Sequence, residues 1–189
     1  MTEVYELDSL GHRAEHVVAG FNPVTIELRA GSKVSTKGSV ELAKPRLWGP
    51  PPVQKPNRYV AVTTLKENKT LIDRYETPFG IRHIEYDAEN GIFVNGERIY
   101  INGVNQHHDL GALGAAFNER AAIRQLELLR EMGCNAIRLA HNPPAPRLLE
   151  LTDQMGFLVV NEIFDVWELR KAPLDFHLIF PEWHEQDLR

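Results

Sequence analysis

The chain has 189 residues, and 43% of them are hydrophobic, which is enough for one large domain or two small domains with buried cores. Its formal net charge is −5, so it lacks the basic surface that favours nucleic acid or an anionic membrane as a partner. A neutral polar ligand is compatible with this charge.

The single cysteine, Cys134, excludes a disulfide within the chain, and its place before an apolar run favours a buried, unreactive thiol over a nucleophile. No apolar stretch approaches the roughly 20 residues that a membrane helix needs. The start of the chain, Met1–Val4, lacks the basic and apolar regions of a secretion signal. The sequence therefore predicts no membrane partner, slightly favours the cytoplasm, and leaves homo-oligomerisation open.

Residues 1–86 contain short alternating or β-branched runs and no convincing helical period, which is typical of half-buried antiparallel strands. The predicted strands are Val24–Leu28, Ser39–Leu42, Tyr59–Leu65 and Thr70–Tyr75. Turn residues separate them, among them the Pro-rich stretch Trp48–Pro52, which favours a connecting loop over a partner-binding polyproline segment. This spacing predicts a β-sandwich, with a domain boundary between residues 86 and 87.

From residue 87 to residue 189, short apolar runs alternate with helical segments, which predicts parallel strands with helices on the outside. The predicted parallel strands are Ile99–Val104, Asn135–Ala140 and Phe157–Val160. Before the first of them, Asn95-Gly96 favours a two-residue hairpin because both residue types tolerate positive φ. We expect the second arm of this hairpin to lead directly into the first parallel strand.

Two complete helices are predicted between these strands. The first begins at Asn118, which is a good N-cap, and ends at Gly133. Its predicted core stripe consists of Ile123, Leu126, Leu129 and Met132. The second follows Pro143, Pro144 and Pro146 and ends at Gly156, and a further helical start is predicted at Pro181–Asp187.

Polar residues come directly after each predicted parallel strand, where ligands bind in parallel β/α folds. These candidate site residues are His107, His108 and Asp109, then Arg138, His141 and Asn142, and finally Glu162. Adjacent residues of an extended strand point to opposite sides, so only one of His107 and His108 should face the site, and the pair is a poor metal chelate. The sequence thus predicts part of an active-site rim with no metal and no cofactor.

The second predicted parallel strand, together with the helix and the strand after it, resembles a known family. The matching residues are Asn135–Pro143, Leu148-Leu149, Asp153, Gly156 and Phe157–Val160. Together they resemble the first signature of glycoside hydrolase family 2, which includes β-galactosidases, β-glucuronidases and β-mannosidases. Asn142 stands where many members have Tyr, and Leu139 where a small residue is usual. Weaker similarity extends over nearly the whole chain.

This resemblance implies that residues 1–86 are part of an immunoglobulin-like β-sandwich and that residues 87–189 form the first three β/α units of a TIM (β/α)8 barrel. Complete relatives hydrolyse terminal β-D-glycosides with retention, so the implied partner is a carbohydrate substrate. In the family, the acid/base and nucleophile carboxylates lie on later strands, so neither is expected in this chain. The family's magnesium ligands are not matched at Asp165–Trp167.

The resemblance also implies roles for individual residues. The arginine that matches Arg138 lies beside the nucleophilic glutamate and helps keep it ionised. The alternative for Arg138 is a structural ion pair with Glu162 on the next strand, and one guanidinium can serve both carboxylates. His141 and Asn142 would contact sugar hydroxyls, although a capping or core histidine is the alternative for His141.

Two rival functions remain at this point. The first is a non-catalytic carbohydrate-binding or assembly module that keeps the sugar-binding rim. The second is a histidine-based metallohydrolase barrel, for which the histidines near residue 107 would supply ligands. A metal analysis separates the metallohydrolase from the other two, and a downstream Asn-Glu motif separates the glycosidase from the binding module.

Overall fold

The computed structural model describes all 189 residues of the chain. It divides into two compact units, Met1–Ile99 and Tyr100–Arg189. The boundary that the sequence predicts between residues 86 and 87 stays a prediction.

The first unit contains a four-stranded antiparallel sheet with the order β2-β1-β3-β4. Its strands are β1 (Thr2–Leu7), β2 (Ala19–Gly20), β3 (Arg58–Glu67) and β4 (Thr70–Phe79). Successive residues of β1 and β3 face opposite sides, so Val4 and Tyr59 are buried in one cluster and Tyr5 and Val60 in another. The predicted strands at residues 59–65 and 70–75 are confirmed as parts of β3 and β4.

The other two predicted strands of this unit are wrong. Residues 24–28 and 39–42 form no strand, and Val24 and Leu28 are 55% and 60% exposed. Alternating residues form a strand only where a neighbouring strand supplies hydrogen bonds, and none does so here. Leu42 nevertheless packs against the core cluster of Val4, which explains its apolar character.

A separate three-stranded antiparallel sheet comes next in the same unit, with the order β5-β6-β7. Its strands are β5 (Ile84–Asp87), β6 (Gly91–Val94) and β7 (Glu97–Ile99). The predicted hairpin at Asn95-Gly96 is confirmed, with positive φ angles of 56° and 79°.

The second unit contains three parallel strands with the order β10-β9-β8, which confirms the predicted parallel arrangement. They are β8 (Gly103–His107), β9 (Ala136–Ala140) and β10 (Leu158–Asn161). The first strand begins later than predicted, because Ile99 pairs with Ile92 in the hairpin sheet and pairing with β9 starts only at Gly103. A Cβ at Gly103 would lie 3.1 Å from the Ala136 carbonyl oxygen, so glycine permits the close approach of β8 and β9.

Three helices complete this unit: α1 (Glu119–Glu131), α2 (Pro146–Met155) and α3 (Phe180–Asp187). The predicted N-cap is confirmed, because Asn118 Oδ1 accepts a hydrogen bond of 3.0 Å from the Ala121 N–H. The predicted end of α2 is confirmed as well, since Gly156 adopts a left-handed conformation. The core between helices and sheet consists of Ala122, Leu126, Ile137, Leu139, Leu148, Leu151 and Phe157.

Met132 does not belong to this core, contrary to prediction. Its side chain is 72% exposed, and it is the C-cap residue that comes after the last helical residue, Glu131. Ala122 takes a buried position on α1 instead, while Cys134 is half-buried and packs against the core. No helix in the structure has the length and the apolar character required to span a membrane.

Candidate functional site

Arg138, near the middle of β9, joins two neighbouring strands. Its Nε atom donates a hydrogen bond of 2.8 Å to Glu162 Oε1, and its Nη1 atom donates one of 3.1 Å to Asn105 Oδ1. The strand register explains this, because Asn105, Arg138 and Val160 lie side by side and Glu162 comes two residues after Val160 on the same face. The predicted ion pair between Arg138 and Glu162 is thus present.

His141 approaches the same carboxylate from the loop after β9. Its Nδ1 atom lies 2.7 Å from Glu162 Oε2 and 3.9 Å from Asp165 Oδ1, so this nitrogen is near two carboxylates. The ring of His107 packs edge-on against it with a centroid distance of 5.4 Å, and the peptide bond that precedes His141 is cis. We call Asn105, Arg138, His141 and Glu162 the Arg138 network.

The electrostatics of the network favour an ionised Glu162. The hydrogen bond from His141 lowers the pKa of this carboxyl group most, partial burial raises it, and the hydrogen bond and charge of Arg138 lower it further. The side chains of Glu162, His141 and Arg138 are 24%, 35% and 39% exposed, so the network remains open to a ligand.

Asp165 carries the next carboxylate along the chain. Its Oδ1 atom accepts a hydrogen bond of 2.6 Å from Lys171 Nζ, and this bond is the main reason why the pKa of Asp165 is lowered. Both carboxylates beside His141 are therefore charged near neutral pH.

Two interactions fix the segment that carries Asp165. Asp175 accepts backbone hydrogen bonds of 2.7, 2.6 and 3.0 Å from Lys171, Ala172 and His177, and it also pairs with the His177 ring. Burial raises the pKa of Asp175, but these hydrogen bonds outweigh it and hold the pKa far below its usual range. An aromatic cluster packs the same segment, and it consists of Phe164, Trp167, Phe176, Phe180 and His184.

The other predicted site residues lie outside the network. His108 lines a separate cavity, and Asp109 accepts a hydrogen bond of 2.8 Å from the Gly111 N–H and so stabilises a turn. Asn142 is exposed in the loop beside His141. His107 contacts the His141 ring and also lines this cavity, as His108 and Asp109 do. The expectation that only one of the two histidines faces the site stays a prediction.

The cavity beside His108 has a volume of about 80 Å³ and lies against α1, where Ala122 and Gln125 line it. Gln106 Oε1 and His108 Nε2 are buried there without a hydrogen-bond partner. Neither Arg138 nor Glu162 lines this cavity, so it is distinct from the Arg138 network.

Two residues at this site are absent from the predicted site residues: Asn105, which belongs to the network, and Asp165, which lies beside His141. Asn105 could have been found from strand alternation, because it lies two residues before His107 and shares its face. Asp165 comes three residues after Glu162, but its approach to His141 depends on the fold of the loop. No group of three or more His, Cys, Asp and Glu side chains in the structure is arranged to hold a metal ion.

Comparisons with protein families find two matching models. The model "Glycosyl hydrolases family 2" matches residues 4–82, and the model "Glycosyl hydrolases family 2, TIM barrel domain" matches residues 87–169. The second match contains all four residues of the Arg138 network.

Similar proteins carry glycosidase names. The chain is 48% identical over 162 residues to beta-galactosidase BoGH2A of Bacteroides ovatus, and 33% identical over 138 residues to a beta-glucuronidase of Bacteroides fragilis. These alignments cover 86% and 73% of this chain but only 19% and 20% of the two relatives. A crystal structure of a glycosyl hydrolase family 2 member from Bacteroides cellulosilyticus matches 99% of this chain and 23% of its own, with a TM-score of 0.80 and 35% identity.

Proposed function

The chain belongs to glycosyl hydrolase family 2, and from this membership we propose that it is part of a retaining glycoside hydrolase that acts on terminal β-D-glycosides. The names of its relatives point to β-galactosides or β-glucuronides as substrates. Because the chain spans about a fifth of the length of those two relatives, the proposal concerns the longer protein that contains it.

The Arg138 network is the observation that carries this proposal. The strand β9 and the loop after it supply a guanidinium and an imidazole, the residue after β10 supplies a carboxylate, and β8 supplies the Asn105 amide. Parallel β/α enzymes bind substrate at the carboxyl ends of such strands. Residues 87–189 would then form the first three β/α units of a TIM barrel, and residues 1–86 part of an immunoglobulin-like sandwich. His141 and Asn142 would contact sugar hydroxyls, and His107 packs edge-on against the His141 ring.

Retaining hydrolysis requires an acid/base and a nucleophile about 5 Å apart. Glu162 is already bound by Arg138 and His141, so its role would be to position these two side chains. The acid/base and the nucleophile would come from later strands outside residues 1–189. Arg138 would then also lower the pKa of the nucleophile, because a nearby positive charge favours an ionised carboxylate.

The test uses nitrophenyl β-D-galactoside and nitrophenyl β-D-glucuronide with the complete protein and with residues 1–189 alone. The complete protein should hydrolyse at least one of them with retention of the anomeric configuration, as followed by NMR. Residues 1–189 alone should hydrolyse neither. Hydrolysis by the short chain that is lost in Glu162→Gln would mean that Glu162 is itself catalytic.

A non-catalytic carbohydrate-binding or assembly module is the second candidate, because the Arg138 network alone could bind a sugar without cleaving it. Calorimetric binding of galactose or glucuronic acid by a complete protein that hydrolyses neither glycoside would favour this candidate.

A further inference from the structure

Asp165 lies at the candidate site, but the function proposed above gives it no role. Its carboxylate lies 3.9 Å from His141 Nδ1 and its side chain is 42% exposed, so it borders both the network and solvent. The other carboxylate at this position, Glu162, is less exposed and engages Arg138 and His141. Asp165 is therefore the carboxylate that a ligand beside His141 could reach.

The fold holds Asp165 in place before any ligand arrives. The preceding residue, Phe164, stacks on Phe176 with a ring distance of 5.3 Å, and the following residue, Val166, is 4% exposed. Lys171 Nζ donates a hydrogen bond to Oδ1 of Asp165, and the backbone N–H of Lys171 donates one to Asp175. A hydrogen-bond acceptor fixed in this way loses little conformational freedom when it binds a ligand.

The charges around Asp165 favour a neutral ligand. Arg138 already pairs with Glu162, and Lys171 pairs with Asp165 itself, so the two cations of this group are engaged. His141 Nδ1 is 2.7 Å from the Glu162 carboxylate and 3.9 Å from the Asp165 carboxylate. A carboxylate on the ligand would meet two negative groups here, whereas a hydroxyl could donate a strong charge-assisted hydrogen bond.

We propose that Asp165 is a specificity-determining residue that accepts a hydrogen bond from a hydroxyl of the terminal sugar and selects neutral hexosides against uronides. This inference rests on the proposed glycosidase function and adds a preference within it. A carboxylate that the protein holds in place discriminates strongly between substrates. A substrate without a hydroxyl there leaves the carboxylate without a hydrogen bond, and a substrate carboxylate is repelled by its negative charge.

The experiment measures kcat/KM of the complete protein for nitrophenyl β-D-galactoside and β-D-glucuronide. The wild type should prefer the galactoside, and Asp165→Asn should lower the ratio of the two kcat/KM values about tenfold or more, since tenfold corresponds to one modest interaction. Asp187→Asn removes the charge of an exposed carboxylate in α3 and should leave the ratio unchanged.

Two further variants separate recognition of the sugar from support of the loop. Lys171→Met removes the partner of Asp165 but keeps the carboxylate, so the preference for galactoside should persist. The double variant Asp165→Asn/Lys171→Met leaves neither charge unpaired and should lose the preference as far as Asp165→Asn does. Equal loss of preference in Lys171→Met and Asp165→Asn would assign both residues to loop structure and overturn the inference.

The experiments distinguish failure of the role of Asp165 from failure of the proposed glycosidase function. Active Asp165→Asn with an unchanged ratio would overturn the role of Asp165 while the glycosidase function stands. A wild type that prefers the glucuronide would also overturn it. A complete protein that hydrolyses no glycoside would overturn the proposed function, and the inference with it.

Discussion

Arg138 binds two partners at once, Glu162 on the next strand and Asn105 on the previous one. The sequence left open whether this guanidinium serves a structural ion pair or a nucleophile, and the structure contains the ion pair. Its contact with the nucleophile remains part of the proposal. The two roles are compatible, because the planar guanidinium has five N–H donors.

We predict that Arg138 and Glu162 are energetically coupled. Arg138→Ala and Glu162→Gln should each destabilise the chain, but the double variant should lose less than the sum, because each single variant leaves a charged or polar partner without its bond. Urea unfolding of the four proteins in a double-mutant cycle measures this. Arg138→Lys is the control, and it should resemble Arg138→Ala, since an ammonium cannot reach Glu162 and Asn105 in the same geometry. Additive losses would contradict the coupling.

In the complete protein, we predict that Arg138→Ala lowers kcat about tenfold or more while KM changes less, because a charge beside the nucleophile acts on the chemical step. Steady-state kinetics with the preferred nitrophenyl glycoside provide the measurement. An effect confined to KM would make Arg138 a plain sugar contact instead.

Glu162 should make the stability of the chain depend on pH. Its pKa is lowered in the folded state, so the unfolded chain takes up the proton first as pH falls below the ordinary value of about 4.3. Its stabilising contribution is therefore complete above that value and is lost as pH falls through the folded pKa. The difference in unfolding free energy between wild type and Glu162→Gln should therefore stay constant well above about pH 4.3 and shrink as pH falls below this value. If this free-energy difference stays constant on acidification, the pKa of Glu162 is the same in the folded and the unfolded chain.

At the scale of elements, the buried apolar stripe of α1 stops where the helix ends. Leu126 is fully buried and packs in the core with Ile137 of β9, whereas Met132 has the same helical spacing but lies beyond the last turn. The helical period predicts which residues share a face, but Met132 is the C-cap residue and lies outside the helix to which the period applies.

This difference gives a matched pair of substitutions. Leu126→Ala should cost about 2–5 kcal/mol of unfolding free energy, because it leaves a cavity in a packed core. Met132→Ala should change it by no more than about 0.5 kcal/mol, because that side chain is 72% exposed. Urea denaturation compares the two variants, and a loss of similar size in both would place Met132 in the core after all.

For the whole molecule, the outer edge of the parallel sheet in the second unit is the feature that bears on self-association. The strand β10 ends the order β10-β9-β8, so its outer edge has no strand partner, and Val160 on it is 56% exposed. Exposed apolar edge strands pair readily with other chains.

We therefore predict that residues 1–189 in isolation self-associate as concentration rises. Val160→Lys should reduce this association, because a charge at an edge strand opposes pairing, while Val53→Lys, a change at an exposed site in the other unit, should not. Light scattering across a concentration series measures the effect. A monomer at all concentrations would contradict the prediction.

The sequence by itself determined the parallel β/α alternation, the Asn118 cap, the Asn95-Gly96 hairpin and the family. These features depend on local periods, turn residues and motif spacing, which a single stretch of chain contains.

Only the tertiary structure decided which strands have neighbours and which side chains meet. Residues 24–28 have strand-like alternation but no partner strand, and Asn105 reaches Arg138 because β8 and β9 adopt one register. Asp165 reaches His141 because aromatic packing and Asp175 fold the loop back. Such contacts join residues that are distant along the chain, and their geometry depends on register and packing, which local patterns do not specify.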